Sequence, residues 1–463
     1  MRNLVEKVAG WFNDRVLRRV LRNSTYLILS NLISVFLTIY ITRRFGVYNY
    51  GVLGLVTGYV TNVNKLFSFR MNEMVIHFVG EAYINRDYRK TGAMIKFAAL
   101  VEAATSLFAF VFMAATAKIG ARIFLDDPTL SGLILFYGLS IIGGMVMETA
   151  NGILRVINRY RSIALVSLVQ NVIVALIVYI ATKNNLGLNG VVSAYLIGKL
   201  ILGIVPVILC LLWLPRTIGY SWLKAPLSLI TNKREILHFT VSTNISSTIN
   251  LIARDGEILW VGALLSPLQA GYYKTAMTVI NMVLTPINPL IDTSYPEMNR
   301  AIIQKNWSKI RRLLRKITTL SGIWTGAAFL GLLFLGKPLL FHPIHFLGLN
   351  IQIFKQEFLP AYDLIMILMV GYGTANVLFW NRTLLLTFNE ADFATKVSFY
   401  CMLAKVFLTV VLVPRGPYYV EAILLSAYLA VSVLIMTFRG RYDLRMAEQA
   451  DPQPKTSGKG KTA

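Results

Sequence analysis

Thr243, Ser247, Asn250, Arg254 and Glu257 recur at helical spacing inside an otherwise apolar stretch. At about 100° per residue they fall within about 80° of one another, as one polar stripe up a helix. Hydroxyls and amides alone would serve as glue between packed helices. An Arg and a Glu in the same stripe point instead to the wall of a water-filled cavity. Asn62, Lys65, Ser68 and Asn72 make a looser stripe, about 120° wide, with Glu73 beside it and Arg70 pointing off it. Lys199, Lys274 and Lys405 are further cations in apolar surroundings, and Glu102 is the matching carboxylate. The substrate-binding candidates are therefore Lys65, Arg70, Lys199, Arg254, Lys274 and Lys405, lining a cationic cavity. Arg and Lys are the natural partners of phosphate, so the set favours an anionic substrate. Glu73, Glu102 and Asp255 are the carboxylates placed to couple an ion. Asp255 points off the stripe that holds Arg254 and reads as a structural partner.

Other chemistry finds no support. Gly331 to Lys337 has the outline of a phosphate-binding loop, but Pro338 replaces the required Ser or Thr and no strand precedes it. His342 and His345 lack the Cys or paired carboxylates of a metal site. No Ser/His/Asp arrangement stands out, and the longest outer loop, 337–359, is too short for a catalytic domain. No metal, no cofactor and no enzymatic activity are expected. Cys210 and Cys401 lie in apolar runs, so no disulfide framework is expected.

Elements that place such charges at depth must be apolar and long. Hydrophobic residues make up 56% of the chain and charged ones only 15%, with a mean hydropathy of +0.59. Soluble domains carry about 25% charged residues, which excludes a soluble enzyme. The composition implies an all-α polytopic membrane protein. Twelve spans are expected, at 25–42, 51–78, 97–117, 129–152, 162–182, 189–214, 236–263, 271–296, 317–336, 360–381, 397–413 and 419–437. Spans 51–78 and 236–263 are the most polar. The net charge of +24 would suggest nucleic acid in a soluble chain. Here it follows from loops instead, since cytoplasmic loops collect Lys and Arg, and no nucleic-acid partner is expected. With the N-terminus inside, 32 of the 46 Lys and Arg fall on inner segments and eight on outer ones. Both termini are then cytoplasmic, in the cytoplasmic membrane. Residues 1–24 read as a basic amphipathic helix lying on anionic membrane lipids. Residues 438–463 read as a basic, partly disordered tail.

The two halves repeat. Ser30–Ser34 matches Thr243–Ser247, Tyr50-Gly51-Val52 matches Ala270-Gly271-Tyr272, and Asp87–Lys90 matches Asn306–Lys309. Asn151 and Asn158 match Asn381 and Asn389. An offset of six spans makes the repeat parallel. The expected organisation is a six-helix bundle over 25–214, a linker over 215–235 and a second six-helix bundle over 236–437. A cleft at such a repeat interface is where transporters hold substrate.

The run Asn23-Ser24-Thr25-Tyr26-Leu27, then Arg43-Arg44-Phe45-Gly46 and Tyr48-Asn49-Tyr50-Gly51, resembles the start of bacterial polysaccharide flippases of the Wzx type. Asn151 to Arg161 resembles their loop between spans 4 and 5. Arg254-Asp255 and Ala270 to Ala276 resemble their second-half entry. The resemblance covers about residues 20–437 and extends to the multidrug/oligosaccharidyl-lipid/polysaccharide exporter superfamily. The charged run Asp255-Gly256-Glu257 departs from the family pattern. The resemblance implies a lipid-linked oligosaccharide on a polyprenyl diphosphate, flipped to the outer leaflet by alternating access for surface polysaccharide such as O-antigen. It also implies membrane lipids and polysaccharide polymerase machinery as partners. Two other functions compete. A cation-coupled multidrug exporter of the same fold would favour carboxylates over cations at depth. A polysaccharide polymerase or ligase would need a large outer loop.

The bias of Lys and Arg generates a direct test. A cysteine introduced at Asn184 should react with an impermeant thiol reagent from outside intact cells, and cysteines at Tyr88 and Asn306 should not. Labelling of Tyr88 from outside would reverse the orientation.

Overall fold

A computed structural model of the chain describes residues 15–68, 71–230, 233–346, 349–388 and 390–450. The helices, in chain order, are α1 (Arg15–Phe67), α2 (Met71–Met74), α3 (Gly80–Ile84), α4 (Tyr88–Phe124), α5 (Ser131–Gly143) and α6 (Met147–Val156). They continue with α7 (Tyr160–Lys183), α8 (Gly187–Ile218), α9 (Lys233–Asn250), α10 (Glu257–Leu264), α11 (Pro267–Leu284) and α12 (Asn288–Ile303). The last are α13 (Trp307–Phe341), α14 (Ala361–Val377), α15 (Trp380–Thr387), α16 (Ala391–Leu412) and α17 (Val420–Ala450). A hairpin of β1 (Ile344–Phe346) and β2 (Leu349–Ile351) is the one sheet among the described residues. The chain is an all-α polytopic membrane protein. Its contacts divide it into two compact units, one of residues 1–274 and 345–358, the other of 275–344 and 359–463.

Eight helical segments among the described residues are long and apolar enough to cross a membrane. They match expected spans 3 to 6 and 9 to 12. In six of the eight the apolar side chains stay largely uncovered: Phe334 is 73% and Phe407 67% exposed. In water such surface would be a liability, whereas in a bilayer it faces its natural solvent. Expected spans 1, 2, 7 and 8 have a different form. Spans 1 and 2 are two helices that meet at Gly46 (φ 72, ψ 178) within α1, inside the connection expected between residues 42 and 51. Glycine carries no Cβ, so the left-handed kink costs it little. Span 2 ends at Phe67 and is followed by α2, a π-helical turn over Val75–Val79 and α3. Span 7 is broken by a second π turn over Leu251–Asp255. Span 8 is broken by a 3-10 turn over Thr285–Ile287. Residues 1–14 and 451–463, with most of the expected amphipathic helix and half of the tail, lie outside the described residues. Within the tail, α17 stays helical to Ala450, and Arg311 of α13 pairs with its Glu448 at 2.7 Å.

The sequence repeat reappears as local geometry. Arg86 and Lys305 both take the left-handed conformation, at φ 60 and φ 53. In each case the next residue caps a helix: Asp87 accepts the amide of Lys90 at 3.0 Å, and Asn306 accepts that of Lys309 at 3.0 Å. Such caps satisfy amide groups that the first helical turn leaves unpaired.

Repeat-related residues also touch within the first unit. A Cβ on Gly51 would stand 1.9 Å from the carbonyl oxygen of Pro267, and one on Gly271 would stand 2.3 Å from that of Val47. Gly51 and Gly271 are partners in the repeat, so the crossing of α1 with the first turns of α11 is self-complementary. Three residues on, a Cβ at Gly54 would stand 2.5 Å from Ile258 Cδ1 and 2.6 Å from Lys274 Cδ. Gly54-Leu55-Val56-Thr57-Gly58 is a G-x-x-x-G sequence, which lets helix backbones approach closely in a membrane.

In the second unit, Lys405 Nζ donates to Glu421 Oε1 at 2.5 Å, and Thr409 Oγ1 donates to Glu421 Oε2 at 2.8 Å. The two charged side chains are 2% and 0% exposed. Lys405 is thus enclosed in the packing of α16 on α17, where removing one partner strands the other charge.

Two predictions follow from this packing. Gly51→Ala should lower stability by about 1–3 kcal/mol or more in a detergent melting experiment, as overpacking does. Gly132→Ala, where no atom lies within 4 Å of the added methyl, should leave the melting point unchanged. Glu421→Ala should cost about 3–5 kcal/mol, while Lys405→Met with Glu421→Met should melt near the parent. Melting of the double variant no higher than that of Glu421→Ala would show that the pair does more than neutralise itself.

Candidate functional site

The π turn over Leu251–Asp255 is where the polar stripe of span 7 changes course. The amide of Gly256 donates to Leu251 O at 2.8 Å, a bond to the residue five back. A π turn inserts one residue into an α-helix, so everything after it rotates to another face. The expectation of one continuous stripe is corrected here. Glu257 turns inward, is 2% exposed and accepts from Tyr273 Oη at 3.3 Å. Arg254 stays on an open face, with its side chain 43% exposed.

Asp255 is the centre of the cluster that results. Its Oδ1 accepts from Arg254 Nε at 3.1 Å, and its Oδ2 accepts from Lys65 Nζ of α1 at 3.3 Å. Asp255 therefore shares the face of Arg254 and joins the two polar stripes. Lys199 of α8 is exposed. Asn62, one turn from Lys65, lies against Gly256, with its Nδ2 3.5 Å from the position of an added Cβ. Two cations, Lys65 and Arg254, thus converge on one carboxylate inside the first unit. Lys274 lies apart from them, with Nζ 4.3 Å from the centroid of the Tyr50 ring. That contact depends on Gly54, whose missing Cβ leaves room for the lysine stem.

The remaining candidates divide. Asn250 and Ser247 are half-buried on α9. Thr243 Oγ1 donates to Thr240 O of its own helix at 3.0 Å. The bond that ties α9 to the end of span 2 comes from Asn244, whose Nδ2 donates to Ser68 O at 3.1 Å. Glu102 is 2% exposed and accepts the amides of Glu148 and Thr149, each at 2.8 Å. It caps α6 at the break in span 4. Glu73 lines a cavity of about 580 Å³ with His77 and Glu81, beside the first π turn. Lys405 belongs to the enclosed pair with Glu421. Arg70 lies outside the described residues. Among the described residues no group of three His, Cys, Asp or Glu is placed to hold a metal ion.

Sequence reading passed over Glu421, Thr409, Tyr50, Tyr273 and the Gly54–Gly58 motif. Lys405 and Thr409 are four apart on one helix face, and Glu421 is the sole acid at the start of span 12. That spacing was the available clue to the pair. Tyr50 and Tyr273 stood within the repeat and the family motifs, but nothing in the sequence gave them a charged partner.

The sequence profile of the Polysaccharide biosynthesis protein family matches residues 40–341. The Inner membrane protein YghQ of Escherichia coli (strain K12) is 26% identical over 366 residues, which cover 77% of this chain and 99% of that protein. Among solved structures, an inward-facing multidrug resistance MATE family transporter of the MOP superfamily aligns over 91% of this chain and 96% of its own, with a TM-score of 0.71 and 11% identity. A MOP superfamily transporter from Pyrococcus furiosus Vc1 (DSM3638), described with a reverse polarity of its binding pocket, aligns over 94% and 96% with a TM-score of 0.65 and 12% identity. At such identity the likeness is one of fold. With its profile matched across most of its length, the chain belongs to the Polysaccharide biosynthesis protein family.

Proposed function

We propose that the protein is a flippase that moves an isoprenoid-diphosphate-linked oligosaccharide from the inner to the outer leaflet of the cytoplasmic membrane by alternating access. It is a transporter rather than an enzyme, and it feeds surface polysaccharide synthesis and its polymerase. The observation that carries this reading is Asp255 at the break in span 7, which Lys65 and Arg254 both engage on an open face. Two exposed cations thus meet beside a break in a membrane helix. Charges at such depth cost at least about 2.5–3.5 kcal/mol each, so exposed cations there call for an anionic partner. A lipid diphosphate supplies one, and Arg254 can grip two of its oxygens while Lys65 acts as a point charge. Family membership supports the polysaccharide part of the reading, and the shared fold supports transport.

A cation-coupled multidrug exporter is the second reading, because a structural neighbour is described as a multidrug resistance transporter. Such a function calls for an open carboxylate. Glu102 is held by two backbone amides and Glu257 by a tyrosine, which weighs against it.

The test uses purified protein in vesicles with a fluorescent lipid-diphosphate oligosaccharide, following how fast the label becomes accessible. Arg254→Ala should slow flipping at least about tenfold, on the scale of losing one charge-assisted contact. Arg254→Lys should keep part of the activity, because the charge survives and the fork does not. Wild-type activity in Asp255→Asn with Arg254→Gln would reduce Arg254 to a counter-ion and overturn its substrate role.

A further inference from the structure

Between Glu148 and Glu235 the chain contains no acidic residue. The cations in that stretch include Arg155, Arg159, Arg161 and Arg216, all exposed. Among the described residues none of the four has a carboxylate within ion-pair distance. Two of them meet on one ring instead. The guanidinium carbon of Arg159 lies 3.6 Å from the centroid of Trp213, and that of Arg216 lies 5.3 Å from it.

Local structure builds this arrangement from two elements of the first unit. Asn158, at φ 62, turns the chain so that Arg159 caps α7. Trp213 and Arg216 stand three apart near the end of α8, on one face. An Arg held over an indole face is a cation–π contact, worth about 0.5–1 kcal/mol at an exposed site. Two cations drawn to one ring also repel each other, and an anion bound beside them relieves that repulsion.

The surroundings identify the anion. One turn before Trp213, Ile208, Leu211 and Leu212 are 49%, 53% and 56% exposed, a surface that only hydrocarbon would cover. Tyr220, just beyond Arg216, is 77% exposed. Trp213 therefore marks the level at which lipid-facing apolar surface gives way to cations, where Trp and Tyr gather in membrane proteins. The phosphates of phospholipids lie at that level, and basic residues near the surface attract the anionic ones. We propose that Arg159, Trp213 and Arg216 form a binding site for the phosphate of an anionic phospholipid of the surrounding membrane. The site lies outside the cluster around Asp255 and does not depend on what is transported.

The test is native mass spectrometry of the full-length protein in neutral detergent with phosphatidylglycerol or phosphatidylcholine. The parent should retain phosphatidylglycerol and release phosphatidylcholine. Arg159→Ala with Arg216→Ala should weaken phosphatidylglycerol retention roughly thirtyfold, as expected for two surface cations. Arg159→Lys with Arg216→Lys, which keeps the charge and guards against misfolding, should fall between the two. Arg89→Ala, an exposed cation in the first turn of α4, should match the parent. Equal retention of phosphatidylglycerol by the alanine pair and the parent would overturn the proposal. Release of the lipid by millimolar inorganic phosphate would also overturn it, because the site would then belong to a soluble anion.

Discussion

The close crossing of α1 with α11 at Gly51 and Gly271 is the constraint on which the charged cluster depends. Each glycine faces a backbone carbonyl of the other helix, with space for hydrogen alone. Lipid tails are as apolar as leucine, so burial alone gives membrane helices little reason to associate. Close backbone contact replaces that driving force with dispersion, and only glycine permits it. From this crossing the rest follows along α1. Gly54 admits the stem of Lys274 and Ile258, and Gly58 keeps Ile258 against the helix. Two turns further on, Lys65 arrives opposite Asp255 at 3.3 Å. A side chain at Gly51 or Gly54 would tilt the helix and carry Lys65 away from its partner.

The buried charges follow one rule. Where both partners are sealed, as in Lys405 with Glu421, the charges cancel and a hydroxyl takes the spare carboxylate oxygen. Elsewhere neutral groups hold a buried carboxylate: two backbone amides donate to Glu102, and the Tyr273 hydroxyl donates to Glu257. Around Asp255 the rule is relaxed, because Lys65, Arg254 and Asp255 stay between a third and a half exposed. An open face lets water or a ligand solvate the excess positive charge. That separates a residue available for binding from one that only completes the packing.

Eight spans were legible from apolar length alone, and the other four include the two that carry the polar stripes. Twelve regular helices were the wrong picture for spans 2, 7 and 8. π turns interrupt spans 2 and 7, and a 3-10 turn interrupts span 8. A stripe drawn at a fixed rotation per residue holds only while the helix stays regular. It therefore placed Thr243 to Arg254 on one wheel but misassigned Glu257, which follows the π turn. Asp255 was misassigned for the same reason, pointing away on an ideal wheel and toward Lys65 on the real one. The glycine spacing was in plain sight as G-x-x-x-G, but its partner surface lies some two hundred residues away in the chain. The pairing of Lys405 with Glu421 spans two helices and needed the fold to appear.

The repeat explains why the two halves carry different chemistry on similar parts. Glu102 in α4 and Ser321 in α13 are the same distance past their capping residues, Asp87 and Asn306. Both meet the break in the next span, but with opposite polarity. Glu102 accepts the amides that open α6, whereas Ser321 donates to Val377 O, at the end of α14. A helix start presents unpaired donors and a helix end unpaired acceptors, so either residue satisfies a break. Only the carboxylate brings a charge to depth. Gly54 and Lys274 are repeat partners too, and there the first half gave up a side chain so that the second could place a cation. The two halves thus share their caps and crossings but not their charges, and the exposed cations on Asp255 come one from each half, Lys65 and Arg254.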